Sequence, residues 1–128
     1  MHSLKACSVS RICWALLCAF IAIGSMGTWA PHQPGIWAPT LISVRDVAQN
    51  VLLYVPFGAL GVWSFRDSYR RHWLRLVARI VGLAILFSAS VEALQLYTND
   101  RVASLTDIAS AGVGAFAGAA AIAMWRPK

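Results

Sequence analysis

The sequence predicts an all-α fold, a four-helix transmembrane bundle with both termini in the cytoplasm, and three observations support it. The chain of 128 residues is 59% hydrophobic and 12% charged, which is about half the usual charged share. Four stretches with at most one charge each are residues 12–30, 47–65, 80–97 and 108–125. Each approaches the roughly 20 residues that span a hydrocarbon core, and none shows the polar stripe of a soluble amphipathic helix. A single domain over residues 1–128 is therefore expected.

The third observation is the distribution of the Lys and Arg residues. In a four-span arrangement, nine of the eleven fall on one side: Lys5, Arg11, Arg66, Arg70, Arg71, Arg75, Arg79, Arg126 and Lys128. Arg45 and Arg101 fall on the other side. Basic residues concentrate in cytoplasmic segments, so the termini and residues 66–79 are expected inside, and residues 31–46 and 98–107 outside. Orientation accounts for the net charge of +6, and no nucleic-acid partner is expected.

The third stretch carries an acid at membrane depth. Glu92 lies five residues before Tyr97, which places it roughly 7 to 8 Å inside the end of the apolar run. Ionisable side chains at such depth are costly and mark functional sites. Ser88 and Gln95 share its helix face, because they lie four residues before it and three after it. Arg101 is expected to fold back over this end and to pair with an acid, preferably Glu92.

Other polar residues mark the outward ends of the neighbouring helices. Asp46 and Asn50 begin the second stretch on one helix face, and Asp107 begins the fourth. Arg101 lies in the loop before Asp107, and Ser104 has the spacing of a helix N-cap. Three helices thus bring polar residues to one level. The sequence predicts a shared polar pocket at the outward mouth of the bundle.

Proline and small residues predict close packing between helices. Pro56 and Gly58 lie within the second stretch, where the proline is expected to kink the helix. Ser110, Gly114 and Gly118 recur at intervals of four in the last stretch. Such a row lets two helix backbones approach closely, and we expect it to pack inside the bundle.

These motifs resemble those of the VanZ-like family of small bacterial membrane proteins, over about residues 40–120. The residues that match the family pattern are Asp46, Asn50, Pro56, Gly58, Glu92, Gln95, Arg101, Asp107, Gly114 and Gly118. The resemblance implies a multi-pass protein of the bacterial inner membrane. It also implies a link to the cell envelope, because the founding member is associated with reduced susceptibility to glycopeptide antibiotics, notably teicoplanin. One departure is Ala111, where the family often has asparagine, so ligand recognition can differ here.

Three classes of function fit these residues. In the first, a non-enzymatic pocket binds an amphiphile, such as a lipid-linked cell-wall precursor or a lipoglycopeptide, besides membrane lipids; its binding residues are Asp46, Asn50, Glu92, Gln95, Arg101 and Asp107. In the second, an intramembrane enzyme uses Glu92 as general base on a lipid-linked substrate. In the third, the polar residues serve structure or a protein partner. The first is favoured, because a buried ionisable group implies function but not catalysis.

No cofactor or metal is expected. The sequence carries no HExxH and no GxSxG motif, which are the commonest signatures of zinc and serine hydrolases. A divalent cation held by Asp46, Glu92 and Asp107 is a minor alternative, because carboxylates are ligands that hard cations prefer.

Overall fold

Four α-helices make up the part of the chain that the structure describes. In the computed structural model the described residues are 2–25, 44–65, 72–96 and 104–125, with side chains from Ser8 onward, and they contain no strand. The helices are α1 (His2–Ser25), α2 (Val44–Phe65), α3 (Trp73–Gln95) and α4 (Leu105–Met124). Each is long and apolar enough to cross a membrane. The predicted all-α, four-helix membrane architecture is confirmed, and the orientation of the termini stays a prediction.

Each helix begins before the apolar stretch that predicted it. α3 begins at Trp73, seven residues before the predicted start, and includes Arg75 and Arg79. α1 likewise begins at His2 and includes Arg11. A charge ends an apolar run, but it does not end a helix, because arginine is a good helix former. The predicted starts therefore mark where each apolar run begins rather than where the helix begins.

α2 is the central helix, since it packs against all three others and most closely against α4. It runs through Pro56 as one helix. The buried core is formed by Ile21, Tyr54, Phe57, Val62, Leu76, Val77, Ile80, Ala84, Ala111, Ala115 and Ala119. Large apolar side chains such as Leu16, Leu86 and Phe116 are exposed on the outer faces. Such broad exposure suits a bundle whose surroundings are lipid rather than water.

A row of glycines brings α2 and α4 into backbone contact. A Cβ added to Gly58 would lie 2.7 Å from the carbonyl carbon of Ala115, and one added to Gly118 would lie 2.8 Å from that of Val55. Gly114 faces α2 from the same side of α4. Only residues without a side chain allow this approach. We call Gly58, Gly114 and Gly118 the glycine contact, and it lies inside the bundle.

α1 is attached to α2 by aromatic side chains. The indole Nε1 of Trp14 donates a hydrogen bond of 3.1 Å to the carbonyl oxygen of Phe57. The Trp14 ring lies 5.2 Å from the Phe57 ring and 5.9 Å from the Phe65 ring, between centroids. The guanidinium of Arg11 lies 5.2 Å from the Phe65 centroid, which is cation–π distance. This cluster holds the middle of α1 against α2.

Candidate functional site

Glu92 connects the end of α3 to the beginning of α4. Its side chain is only 4% exposed, and its Oε2 accepts a hydrogen bond of 2.7 Å from the backbone N–H of Ser104. Ser104 is the N-cap of α4, and its hydroxyl oxygen accepts from the N–H of Thr106 at 3.2 Å. A buried N–H needs such a partner, and a carboxylate forms a strong one. Glu92 therefore determines where α4 starts relative to α3.

Gln95 connects α3 to α1. Its side chain is 5% exposed, and its Nε2 donates a hydrogen bond of 2.8 Å to the carbonyl oxygen of Ser25. Ser25 is the last described residue of α1. The amide of Gln95 thus binds the backbone of α1 and holds this part of α1 beside α3.

Tyr54 joins the same cluster, although the sequence analysis did not single it out. It is buried, and its hydroxyl is hydrogen-bonded to the side chain of Ser88, one turn before Glu92. A buried tyrosine normally finds a polar partner for its hydroxyl. The sequence spacing could have identified Tyr54 as part of this cluster. Asp46, Asn50 and Tyr54 recur at intervals of four and so share one face of α2.

A groove lies between α1 and α2 at this end of the bundle. It has a cavity volume of about 470 Å³ and is lined by Ser25, Gln49, Asn50, Leu52 and Leu53. The hydroxyl of Ser25 lies at the end of α1, the two amides lie in the second turn of α2, and the leucines lie about one turn further along α2. The groove therefore offers hydrogen-bonding groups at its outer end and apolar surface toward the middle of the bundle. We call it the α1–α2 groove.

The six predicted binding residues have different surroundings. Asn50 lines the α1–α2 groove, whereas the two predicted residues of α3 are buried between helices. Asp46 is exposed, one turn further out than Asn50, and Asp107 is partly buried in the first turn of α4. Arg101 lies outside the described residues. Their roles in binding stay predictions.

The surroundings of Glu92 favour positioning over proton transfer. A general base needs an oxygen within hydrogen-bond reach of a substrate proton, but Glu92 is buried and one of its oxygens accepts from backbone. Among the described residues, no three His, Cys, Asp or Glu side chains group closely enough to hold a metal ion. Asp46, Glu92 and Asp107 are all described, so the cation arrangement considered from sequence has no geometric support.

Ala111 belongs to the core. It is fully buried and packs within the central cluster of α2, α3 and α4. An asparagine at this position would bring an amide that needs its own hydrogen-bond partners. In this chain the position contributes packing, and it does not line the α1–α2 groove.

Together, the four apolar helices define a multi-pass membrane protein. A buried acid and a buried amide form a polar cluster at one end of its bundle. The chain belongs to the VanZ/LLP1 family, whose model matches residues 8–126. The predicted membership is thereby confirmed, and the match also takes in α1, which lies before the motifs that suggested the family. No curated protein and no solved structure matches the chain.

Proposed function

We propose that this protein is a non-enzymatic binding protein of the bacterial inner membrane and cell envelope. Its ligand is an amphiphile, either a lipid-linked cell-wall precursor or a lipoglycopeptide, and binding contributes to reduced glycopeptide susceptibility. The observation that carries the proposal is the α1–α2 groove, which joins Ser25, Gln49 and Asn50 to Leu52 and Leu53 within a bundle of apolar helices.

The order of groups along the groove matches the order of groups in an amphiphile. A membrane-bound amphiphile keeps its polar head at the interface and its chain in the hydrocarbon. The amides and the hydroxyl are near the helix ends, where a head would lie, and the leucines follow toward the centre. Small-molecule sites commonly combine apolar walls with a few placed polar groups, as this groove does.

The buried polar residues of α3 hold the backbone around this groove in place. Gln95 holds the carbonyl of Ser25, so it positions a residue that lines the groove. Glu92 holds the start of α4. A binding site needs such support, because lining side chains bind well only when their backbone is held in place. Since both residues are engaged with backbone groups, the structure favours binding over catalysis by Glu92.

The test compares two tryptophan variants of matched exposure. Leu52 lines the groove and is 69% exposed, whereas Leu86 faces outward on α3 and is 66% exposed. Leu52→Trp should fill the groove, and Leu86→Trp should not. Wild type and both variants are expressed in a sensitive host, and glycopeptide and lipoglycopeptide susceptibility is measured at equal membrane abundance. We expect wild type and Leu86→Trp to lower susceptibility and Leu52→Trp to lose the effect.

Two further outcomes decide between the alternatives. If wild type leaves susceptibility unchanged, or if both tryptophan variants behave alike, the resistance role of the groove is wrong. Material that co-purifies with wild type is identified by mass spectrometry and then incubated with the purified protein. Unchanged lipid-linked material supports binding, whereas chemical turnover of it would replace the binding function with an intramembrane enzyme.

A further inference from the structure

We infer that the α1–α2 groove selects amphiphiles whose acyl chain is joined to the head by an amide, and that the backbone carbonyl oxygen of Leu52 accepts a hydrogen bond from that amide. The inference rests on the proposed function, because it names the ligand class of the same groove. Of the two ligands proposed for the groove, it favours a lipoglycopeptide whose chain is amide-linked.

Pro56 frees a backbone acceptor on the lining of the groove. In an α-helix each carbonyl oxygen accepts from the N–H four residues ahead, and α2 runs through Pro56. Proline has no N–H, so the carbonyl of Leu52 lacks this donor. Within the described residues, no side chain donates a hydrogen bond to it. A carbonyl freed inside a membrane needs a partner from its surroundings, and a ligand in the groove can supply one.

The freed carbonyl lies on the open side of α2. Leu52 lines the groove and is 69% exposed, and Pro56 follows it by four residues on the same helix face. The carbonyls of Val51 and Val55, by contrast, lie against α4. A ligand that enters from lipid therefore reaches the Leu52 carbonyl without separating α2 from α4.

The acceptor lies deeper in the membrane than the side-chain amides of the groove. Leu52 follows Asn50 by two residues, which is about 3 Å along the axis, and a helix carbonyl points toward the C-terminal end of its helix. For Leu52 this direction is toward the middle of the bundle. A head at Ser25, Gln49 and Asn50 therefore brings the first linkage of its chain to the carbonyl.

An amide linkage supplies the donor that this carbonyl needs. Its N–H pairs with a carbonyl as backbone groups do, whereas an ester or a phosphate at the same point offers only acceptors. The groove volume of about 470 Å³ lies within the range of roughly 300 to 1,000 Å³ for small-molecule sites. Such a volume suits the linkage and the first carbons of the chain, while the rest of a glycopeptide stays outside the mouth.

The charged residues at this end of the bundle do not decide between the linkages. The described ones are Arg45, Asp46, Glu92 and Asp107, and Arg101 is expected beside them. An amide and an ester are both neutral, so these charges act alike on two amphiphiles that differ only in the linkage. A preference for the amide therefore measures hydrogen bonding at the linkage.

The experiment measures the binding of three probes to the full-length protein in detergent. Each probe is the same sugar with the same decanoyl chain, joined by an amide, an N-methyl amide or an ester. We expect wild type to bind the amide about two- to tenfold more tightly than the other two, the usual net effect of one hydrogen bond. Equal affinity for all three would overturn the inference, and this comparison needs no variant.

Variants then locate the acceptor. Pro56→Ala restores an N–H four residues after Leu52, so it should abolish the preference by weakening amide binding while ester binding stays unchanged. A preference that survives in Pro56→Ala would overturn the assignment to this carbonyl. Leu52→Trp should lose all three probes, and Leu86→Trp should bind them as wild type does. Equal effects of the two tryptophan variants would place the probes outside the groove and overturn the inference.

Further outcomes separate this inference from the proposed function. If polyprenyl phosphate binds more tightly than the amide probe, the inference fails and the lipid-linked precursor becomes the ligand of the proposed function. If susceptibility depends on the groove but no probe is preferred, the inference again fails and the proposed function stands. If the amide is preferred without any effect on susceptibility, the resistance role fails and the selection of amides stands.

Discussion

At the scale of single residues, the buried polar residues of α3 connect this helix to the other three helices. Ser88, Glu92 and Gln95 are all buried on α3. Each makes a polar contact with a different element, and the partners are Tyr54 of α2, Ser104 at the start of α4 and Ser25 at the end of α1. The presence of an acid and an amide at membrane depth is therefore explained by their hydrogen bonds to backbone groups of the neighbouring helices.

The contact between Glu92 and Ser104 leads to a graded stability prediction. Glu92→Ala should cost about 1 to 3 kcal/mol, because the buried N–H of Ser104 loses its acceptor. Glu92→Gln should cost less, because its amide oxygen can still accept that hydrogen bond. Thermal unfolding in detergent measures both. Ser90→Ala is the control, since Ser90 is exposed and its hydroxyl donates only to Leu86 within α3. Equal losses for both Glu92 variants would contradict the role of the acceptor.

Arg101 carries the second prediction at this scale. It lies between α3 and α4 in the sequence, outside the described residues, and is expected to pair with an acid, preferably Glu92. Arg101→Ala should then cost about 3 kcal/mol or more, because it leaves a partly buried charge alone. A variant that also neutralises the true partner should be less unstable than Arg101→Ala.

Double-mutant cycles on unfolding test this pairing, with Glu92, Asp107 and Asp46 neutralised in turn. Residues that do not interact give additive effects. Additivity of Arg101 with all three acids would rule out the ionic pair and leave the arginine facing solvent or ligand.

At the scale of elements, the glycine contact makes α2 and α4 one unit. Gly58 and Gly118 each lie so close to the opposite backbone that even one added carbon would overlap with it. Backbone atoms cannot turn away as a flexible side chain can, so the helices would have to separate. This close packing places α2 centrally and leaves α1 free to form a groove at the edge of the bundle.

Alanine substitutions test the glycine contact. Gly118→Ala should destabilise the protein by about 1 to 3 kcal/mol, the usual cost of overpacking, and Gly118→Leu should reduce its abundance in the membrane. The matched control is Gly82→Ala on α3, where an added Cβ meets no atom of another helix within 4 Å. That change should be neutral or stabilise by up to about 1 kcal/mol, because alanine favours helix over glycine. Thermal unfolding in detergent checks both, and normal stability of Gly118→Ala would show that α2 and α4 can separate without loss.

At the scale of the whole molecule, the asymmetry of charge predicts how the bundle sits in the membrane. Nine of eleven basic residues lie on one side of the four-span arrangement. Arg75 and Arg79 lie near the start of α3, whereas the groove and the buried polar cluster lie near its end. The positive-inside rule therefore predicts that the site faces outward.

Reporter fusions check this orientation. A reporter fused after Lys128 should be cytoplasmic, and one inserted at Gly35 should be external, because basic residues hold the first side inside. A fusion after the second stretch, at residue 66, should be cytoplasmic and serves as the internal control. An external C-terminus would contradict the four-span orientation and would place the groove on the cytoplasmic side.

The sequence by itself determined the class of fold and the family, and it predicted the end of the bundle at which a site is expected. Long runs without charge predict membrane spans, and an acid inside such a run identifies Glu92. These are local properties of the chain, because hydropathy and helical periodicity depend only on neighbouring residues. For the same reason the ends of the helices were less well predicted, since charged residues such as Arg75 continue a helix beyond the apolar run.

Only the tertiary structure decided which helix faces meet. It brought Gln95 to Ser25, Glu92 to Ser104 and Tyr54 to Ser88, and it opened a groove beside Gln49 and Leu52. The physical reason is that these neighbours lie on different helices, so their contacts depend on how the helices pack and not on the local sequence. A helical pattern shows which residues share a face, but the packing of all four helices decides what that face touches.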